Sequence, residues 1–263
     1  MHKKLRSIWK ERSRLENLVK TNNLIVLCDY DGTLAPIVAH PALAHMPAQT
    51  RAALKTLSRK KDVVTGIVSG RPLREVREFV GLKDVAYIGS HGYEVWLPGK
   101  APCTRLTRAQ KRRLRALAGE LERLLKNLHG IWIERKSAGV AVHYRLAKLP
   151  DAEVALSILE GIARHHKRAY RVQEGKMVFE FVPAGRISKG TAVRELAKEL
   201  STGRPTVRIY LGDDLTDESV FSRLRRQDFG ILVGKPRPSE AKYSLPSPKD
   251  VAEFLQELGG ITQ

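Results

Sequence analysis

Short apolar runs alternate with amphipathic stretches in the first and last thirds of the chain. Each run is predominantly apolar, which is typical of strands buried on both faces of a parallel sheet. The runs are residues 24–28, 63–68, 85–88, 207–211 and 230–233. The predicted helices are residues 48–59, a helix opened by Pro72, residues 189–200 and residues 249–258. This alternation predicts an α/β fold with a Rossmann-like parallel sheet covered by helices on both faces.

Between residues 99 and 185 the pattern changes to the order α-β-β-α-β-β. Thr107 and Gln110 predict a capping box ahead of a long amphipathic helix, which we expect to end at Gly130. The other predicted elements are strands at 131–136, 139–145, 170–173 and 177–182 and a helix at 151–166. We therefore expect a discontinuous core of residues 1–98 and 186–263 that carries an inserted α+β domain of residues 99–185.

Apolar residues also recur at helical spacing near the amino terminus. They are Leu5, Ile8, Trp9, Leu15, Leu18 and Val19. We predict an amphipathic helix over residues 3–20 that packs on its own domain, with a partner- or membrane-binding helix as the alternative.

Composition limits the classes of function. The 263 residues carry a formal net charge of +19, which is compatible with a nucleic-acid partner or with a basic surface that attracts anionic substrates. The sequence has no paired Cys/His finger, basic zipper or basic platform interleaved with aromatic residues, so nucleic-acid binding is not the expected main role. No apolar run approaches the roughly 18 residues of a membrane span. The two cysteines, Cys28 and Cys103, form neither a metal-type pair nor a disulfide framework, and we expect a cytoplasmic protein for which a monomer is compatible with the sequence.

Polar side chains follow three of the predicted strands. They are Asp29, Asp31, Ser69, Asp213, Asp214 and Asp217, and Lys189 opens the helix before the last of these strands. In an open parallel sheet, ligands bind beyond the carboxyl ends of the strands. We therefore expect these side chains to form one site.

The acidic residues of this set favour a hard divalent cation. Asp29 and Asp31 would repel each other without one, and ligands that are all oxygen favour magnesium over zinc. The alternatives are an Asp-Gly turn for the first pair and helix capping for Asp217 and Glu218. Two such clusters, each after a buried strand, favour a shared cation, and Ser69 and Lys189 would supply groups that neutralise phosphoryl oxygens.

Four segments resemble the motifs of the haloacid dehalogenase-like (HAD) phosphatase superfamily. They are Asp-Tyr-Asp-Gly-Thr at residues 29–33, Ser69, Lys189, and Gly-Asp-Asp-Leu-Thr-Asp at residues 212–217. They occur in the superfamily's order over nearly the whole chain. The resemblance implies a HAD core, and the inserted domain resembles a C2-type cap, which implies a role in substrate recognition.

Longer stretches resemble the trehalose-6-phosphate phosphatase family. They are residues 27–37, 69–71, 90–94, 134–136 and 212–218. One departure is Ser188, which precedes Lys189 where the family often has Asn. The sequence contains no glycosyltransferase half, so it resembles the stand-alone form. The resemblance implies magnesium-dependent hydrolysis of trehalose 6-phosphate in trehalose biosynthesis.

The resemblance also implies a role for each site residue. Asp29 would be the nucleophile that forms an aspartyl-phosphate, Asp31 the general acid and base, and Ser69 and Lys189 the groups that hold the phosphoryl oxygens. Magnesium would bind Asp29, the Asp31 carbonyl and Asp213, with Asp217 or Asp214 nearby. The implied sugar-binding residues are Arg71, His91, Glu134, Lys136 and Glu180.

Three alternatives remain open on the sequence. The same chemistry could act on sucrose-phosphate or mannosyl-phosphoglycerate, since only the cap motifs distinguish the substrate. The chain could also be a basic nucleic-acid or interaction module on a phosphatase scaffold, although the intact pair Asp29 and Asp31 argues against it. Glu134, Lys136 and Glu180 could simply lie on the exposed faces of alternating strands, and His91 could be a buried structural histidine.

Overall fold

A computed structural model describes residues 5–38, 40–175, 177–200 and 203–262. The chain divides into two compact units, a core of Met1–Thr104 and Ile187–Gln263 and an insert of Arg105–Arg186. The first boundary lies at Thr104 and not at residue 98, because a hairpin that follows residue 93 belongs to the core sheet. None of the described helices combines the length and the hydrophobicity needed to cross a bilayer.

The described strands and helices are numbered here in chain order. The strands are β1 Arg6–Ser7, β2 Asn23–Asp29, β3 Val63–Val68, β4 Ala86–Gly89, β5 Glu94–Trp96, β6 Cys103–Thr104, β7 Trp132–Arg135, β8 Val140–His143, β9 Tyr170–Gly175, β10 Val178–Pro183, β11 Thr206–Gly212, β12 Phe229–Val233 and β13 Tyr243–Leu245. The helices are α1 Arg12–Thr21, α2 Ala48–Leu57, α3 Leu73–Val80, α4 Arg108–Leu125, α5 Leu149–His165, α6 Lys189–Glu199, α7 Glu218–Phe221 and α8 Pro248–Ile261.

The core sheet has the strand order β1-β13-β12-β11-β2-β3-β4-β5-β6. Neighbours from β1 to β4 pair in parallel, and β5 and β6 add an antiparallel hairpin at one edge. Because β11, β2 and β3 are adjacent and parallel, the loops that follow them emerge side by side. This adjacency brings three of the predicted polar clusters to one edge of the sheet.

Both faces of the core sheet are buried. Leu24, Val26 and Cys28 of β2 belong to an apolar cluster that includes residues of α2, α3 and α8. Ile25 and Leu27 belong to a second cluster, which includes residues of α6 and α7. Helices therefore cover the sheet on both sides, and the prediction of a Rossmann-like α/β core is confirmed.

The predicted amino-terminal helix is too long at its start. Residues 3 and 4 lie outside the described part, Arg6–Ser7 form a strand, and α1 begins only after a 3-10 turn over Ile8–Glu11. Arg6 and Ser7 pair with Tyr243 and Ser244 of β13. Pairing with the exposed edge of β13 satisfies backbone groups that a helix would leave unpaired there, and local periodicity carries no information about that edge.

The predicted end of the long helix is also wrong. Helix α4 starts at the predicted capping box of Thr107 and Gln110 but ends at Leu125, before Gly130. Gly130 has φ 75° and lies in the turn that leads to β7. The apolar spacing continues to Leu128, and this continuation extended the prediction beyond the last helical residue.

The insert contains an antiparallel sheet with the order β7-β8-β10-β9. Val142 and Phe181 of this sheet are buried, as are Leu117 and Leu121 of α4. This arrangement confirms the predicted α+β character of the inserted segment.

Candidate active site

Asp29 ends β2 and is almost completely buried, with 4% of its surface exposed. Lys189 begins α6, where Ser188 caps the helix. The Lys189 ammonium donates to Asp29 Oδ1 at 2.8 Å and to Asp217 Oδ1 at 2.9 Å. One buried lysine therefore bridges two buried carboxylates, one at the end of β2 and one in the turn after β11.

Asp217 is fully occupied by protein donors. Its Oδ2 accepts hydrogen bonds of 3.0 Å from the backbone amides of Asp213 and Asp214, and its Oδ1 accepts one of 2.7 Å from the Tyr210 hydroxyl as well as the one from Lys189. Because each oxygen already accepts two bonds, Asp217 is suited to fixing the loop after β11 and the lysine.

Asp213 faces the first motif. A Cβ atom at Gly32, which has φ 82°, would lie 2.1 Å from Asp213 Oδ2, so only glycine permits this approach. Thr33 Oγ1 donates to Asp213 Oδ1 at 3.2 Å. One carboxylate oxygen each of Asp29, Asp213 and Asp217 can be chosen so that all three lie within 4.8 Å of one another. This all-oxygen set fits a hard cation such as Mg²⁺.

The acidic groups of this cluster are poorly neutralised. Burial raises the pKa of Asp29 well above its ordinary value, and the neighbouring Asp217 and Asp213 raise it further against the opposing effect of Lys189. Burial and Asp217 raise the pKa of Asp213 to about 6. The pKa of Lys189 is also raised, because its two carboxylate partners outweigh burial. The cluster thus favours an additional positive charge.

Ser69 follows β3 and is buried, and its Oγ accepts a 3.1 Å hydrogen bond from the Arg71 amide. The His91 amide donates to the Ser69 carbonyl at 3.1 Å. A Cβ atom at Gly70 would lie 2.6 Å from His91 Cε1, so the imidazole packs directly on this loop. Ser90 and His91 both have left-handed backbone conformations, with φ 49° and 54°. The loop after β4 is therefore fitted closely to the loop after β3.

Arg71 holds Asp31. Its Nε donates to Asp31 Oδ2 and its Nη2 to Asp31 Oδ1, both at 2.7 Å, and its Nη1 bonds to Glu75. This bidentate pair fixes the orientation of the Asp31 carboxylate, which remains 42% exposed. The structure thus places Arg71, for which the resemblance implied sugar binding, on Asp31, for which it implied general acid and base chemistry.

Asp214 lies outside the acidic cluster. Its carboxylate is exposed and accepts a 2.6 Å hydrogen bond from the Leu215 amide, so it caps the 3-10 turn Leu215–Asp217. Helix capping was the alternative considered for Asp217 and Glu218, and the structure gives the capping role to Asp214 instead.

The three predicted sugar-binding residues of the insert lie near one another. Glu134 pairs with Ala141 and Ala141 with Glu180 across adjacent antiparallel strands, so the two glutamates share a face of the sheet. Lys136 Nζ donates to Glu180 Oε2 at 2.7 Å. His143 Nε2 lies 3.0 Å from Glu134 Oε2. This polar face is open around Glu134, whose side chain is 36% exposed.

Sequence reasoning did not single out five residues that belong to the acidic cluster of the core or to the polar face of the insert. They are Thr33, Tyr210, Arg237, Trp132 and His143. Arg237 donates to the backbone carbonyl of Asp214 at 2.8 Å and also bonds to Glu218, so it holds the loop after β11. The indole of Trp132 stacks on His143 with ring centroids 3.7 Å apart. The alternation in β7 and β8 placed both rings on the face of Glu134, and that was the available signal.

Comparison with known proteins gives consistent matches. A family profile described as trehalose-phosphatase matches residues 27–249. Probable trehalose-phosphate phosphatase D of Arabidopsis thaliana is 34% identical over 255 residues, covering 91% of this chain and 68% of that protein. Probable trehalose-phosphate phosphatase 4 of Oryza sativa subsp. japonica is 34% identical over 243 residues, covering 89% of this chain and 65% of that protein. The chain thus spans about two thirds of the length of these curated relatives.

A solved structure shows the shared fold. The C-terminal domain of trehalose-6-phosphate phosphatase from C. albicans superposes with a TM-score of 0.78 at 24% identity and covers 99% of this chain and 100% of that chain.

Proposed function

Because the chain belongs to the trehalose-phosphatase family, we propose that it hydrolyses trehalose 6-phosphate to trehalose and inorganic phosphate. The chain is a phosphatase with a HAD-like fold. The observation that carries the proposal is the buried pair of Asp29 and Lys189, next to Asp213 at the carboxyl ends of adjacent strands.

Asp29 is the proposed nucleophile. Its Oδ1 is held by Lys189, which leaves Oδ2 to attack phosphorus in line with the departing sugar oxygen. The new bond joins Asp29 Oδ2 to phosphorus, and the bond between phosphorus and the sugar oxygen breaks. Lys189 and Ser69 are the proposed groups that hold the phosphoryl oxygens, Lys189 by its charge and Ser69 by a hydrogen bond, and the raised pKa of Lys189 keeps its ammonium charged.

Asp31 is the proposed general acid and base. It gives a proton to the departing sugar oxygen, and then takes a proton from the water that attacks phosphorus and releases Asp29. The Asp31 side chain is 42% exposed, so substrate and water can reach it, and this exposure supports the role, while the contact with Arg71 sets the orientation of the carboxylate.

Mg²⁺ is the proposed cofactor, held by Asp29 and Asp213 with Asp217 at its side. When bound, the cation supplies the positive charge that this cluster lacks and that a phosphoryl group requires. The Oδ2 atom of Asp213 has no protein donor among the described residues, and one oxygen each of Asp29, Asp213 and Asp217 lie within 4.8 Å of one another, which supports this assignment. We also propose that the Asp31 backbone carbonyl contributes a ligand. Asp214 caps a turn outside the cluster, which favours Asp217 over Asp214 as the nearby residue.

The insert is the proposed cap, with Glu134, Lys136 and Glu180 as sugar-binding groups. Two carboxylates and an ammonium on an open face can accept from and donate to several sugar hydroxyls. His91 remains a proposed core contact, because its ring packs on the loop that carries Ser69. Arg71 is proposed to orient Asp31 and, through Asp31, the sugar oxygen next to it.

The test is a panel of sugar phosphates assayed for phosphate release by the full chain with MgCl₂. The panel contains trehalose 6-phosphate, sucrose 6-phosphate, mannosyl-3-phosphoglycerate and glucose 6-phosphate. We expect kcat/KM for trehalose 6-phosphate to exceed each of the others by at least about tenfold, which corresponds to about 1.4 kcal/mol of transition-state discrimination. A higher kcat/KM for another sugar phosphate would contradict the assigned substrate and leave the chemistry intact, whereas no release from any of them would contradict both.

A further inference from the structure

The loop between β12 and β13 contacts the loop that carries Asp213. Strands β11 and β12 are parallel neighbours, so the loops that follow them emerge at the same edge of the core sheet. Arg237, in the loop after β12, donates through Nη2 to the backbone carbonyl of Asp214 at 2.8 Å and to that of Asp213 at 3.3 Å. A side chain outside the acidic cluster is therefore bonded to the backbone of one residue of that cluster.

The Arg237 guanidinium is itself held by Glu218. Glu218 Oε1 accepts hydrogen bonds from Arg237 Nη1 at 2.5 Å and from Ser239 Oγ at 2.8 Å, and its Oε2 accepts one from the Glu240 amide at 2.8 Å. The side chains of Arg237 and Glu218 are 23% and 24% exposed, so much of the pair is shielded from solvent. One carboxylate thus fixes both the guanidinium and the loop that carries it.

Both backbone groups that flank the Asp213 side chain are anchored. The Asp213 amide donates to Asp217 Oδ2 at 3.0 Å, and the Asp213 carbonyl accepts from Arg237. Two anchors on either side of one Cα atom set the direction of the bond to Cβ, and therefore the direction of the carboxylate that faces Gly32. Binding groups must be held within about 0.5 Å of their productive positions, so the loss of one anchor should affect binding.

We propose that Arg237 is a positioning residue for the magnesium site, because it orients Asp213 as a ligand through the backbone of the loop after β11. This role rests on the proposed function, in which Asp213 binds Mg²⁺. By its charge alone, Arg237 would repel a cation and weaken its binding. The effects of charge and of positioning therefore have opposite signs, and removal of the guanidinium distinguishes them.

The experiment is isothermal titration calorimetry of the full chain with MgCl₂, after treatment with EDTA and removal of the chelator. Arg237→Met removes the charge and all the donors, whereas Arg237→Lys keeps the charge and a donor. Arg204→Met is the matched control, because it removes an arginine that pairs with Asp62 just before β11 and β3 begin, at the opposite end of these strands. Urea unfolding in EDTA measures the stability of each variant without the cation.

We expect Arg237→Met to raise the Kd for Mg²⁺ at least about tenfold, Arg237→Lys to raise it less than about threefold, and Arg204→Met to leave it unchanged. At saturating MgCl₂, kcat and KM of Arg237→Met for trehalose 6-phosphate should stay within about twofold of wild type, because the bound cation restores the position of Asp213.

An unchanged Kd in Arg237→Met, even with a loss of stability in EDTA, would show a purely structural role and overturn the proposal. A lower Kd would show that the charge of Arg237 dominates and would also overturn it. The titration contains no substrate, so a raised Kd would support the proposal even if the chain hydrolysed a different sugar phosphate. Wild-type chain that binds no Mg²⁺ would overturn both the cofactor assignment and the role of Arg237.

Discussion

At the scale of single residues, the proposed function rests on Asp29, a carboxylate that folding removes from water. Burial makes the charged form of Asp29 costly, and Lys189 offsets only part of that cost. An additional cation beside Asp29 would favour its charged form. The same isolation from water strengthens the interaction between Asp29 and Lys189, since little solvent screens it.

Replacing Asp29 with Asn tests this residue directly. The amide has nearly the same shape but cannot form an acyl-phosphate, so kcat for trehalose 6-phosphate should fall at least about 1,000-fold, or about 4 kcal/mol in barrier. The control is Asp62→Asn, which removes the carboxylate that pairs with Arg204 at the surface. Phosphate release and circular dichroism of both variants provide the measurement. Normal turnover by folded Asp29→Asn would rule out Asp29 as the nucleophile.

Asp228 is a second buried carboxylate, with a structural role. It accepts hydrogen bonds from the side chains and amides of Arg208 and Arg225 and is inaccessible to solvent. Asp228→Asn should lower the free energy of unfolding by about 3 kcal/mol, because it leaves a buried arginine without its counter-charge. Asp62→Asn, which breaks a surface pair, should cost less than about 1 kcal/mol. Urea unfolding at pH 7 measures both.

The stability that Asp228→Asn loses should also depend on pH. Burial by itself would raise the pKa of Asp228, but hydrogen bonds from Arg225 and Arg208 outweigh it and lower the pKa below the ordinary value of 3.8. A carboxylate with a lowered pKa in the folded state stabilises the protein above its unfolded pKa, and this contribution is lost as the pH falls through the folded value. The difference in the free energy of unfolding between wild type and Asp228→Asn should therefore stay constant from pH 7 to about 5 and become smaller below pH 3.8. A difference that does not narrow would contradict the ion pair as its origin.

At the scale of elements, the sheet of the insert orders a row of polar groups. Trp132 and His143 are direct partners across β7 and β8, and His143 reaches diagonally to Glu134 on the same face. The stacked indole of Trp132 limits the rotation of the His143 imidazole, and the contact with this imidazole limits the rotation of the Glu134 carboxylate. In the sugar-binding role that we propose for Glu134, a carboxylate held in this way loses less side-chain entropy when the substrate binds.

His143→Phe tests this positioning contact. Phenylalanine can keep the stack on Trp132 but cannot bond to Glu134, so KM for trehalose 6-phosphate should rise about tenfold while kcat changes less than about twofold. Hydrolysis of p-nitrophenyl phosphate, which has no sugar hydroxyls, should be unaffected. The control is His129→Gln, at an exposed position of the same insert. Equal losses on both substrates would contradict the positioning role and indicate a damaged fold.

Local pattern predicted the elements that bury their own apolar residues. The predictions of β3 and of the capping box of α4 both agree with the structure, because strand burial and helix capping depend on residues that are close together in the sequence. The strands β1 and β13 and the hairpin β5–β6 were missed, since strands of two or three residues carry almost no periodicity. Their existence depends on edges supplied by distant strands.

The candidate site, like the fold, could be predicted from the sequence only in part. The sequence motifs identified Asp29, Lys189 and Asp213, which the structure brings together after β2 and β11 and at the start of α6. The bond between Arg71 and Asp31 spans 40 residues and follows no local pattern. Side-chain partners of this kind depend on rotamers and on the exact path of the loops, and neither can be read from spacing.

At the scale of the whole molecule, the order of the strands in the core sheet brings the residues of the candidate site together. Lys189 and Asp29 are 160 residues apart, and they meet because β11 pairs with β2 and α6 packs beside both. A cation that binds this cluster would therefore join segments from both ends of the core. Its binding free energy should add to the stability of the folded state, since the unfolded chain does not assemble the three carboxylates.

Magnesium should accordingly raise the urea midpoint of the full chain, by an amount equivalent to about 2.7 kcal/mol when its concentration is 100 times Kd. EDTA should abolish this shift and should also stop the hydrolysis of trehalose 6-phosphate. Asp213→Asn should abolish the shift because it removes a ligand whose Oδ2 faces Gly32. Asp214→Asn should keep it, since Asp214 caps a turn outside the cluster. Equal shifts in wild type and Asp213→Asn would place the magnesium elsewhere on the protein.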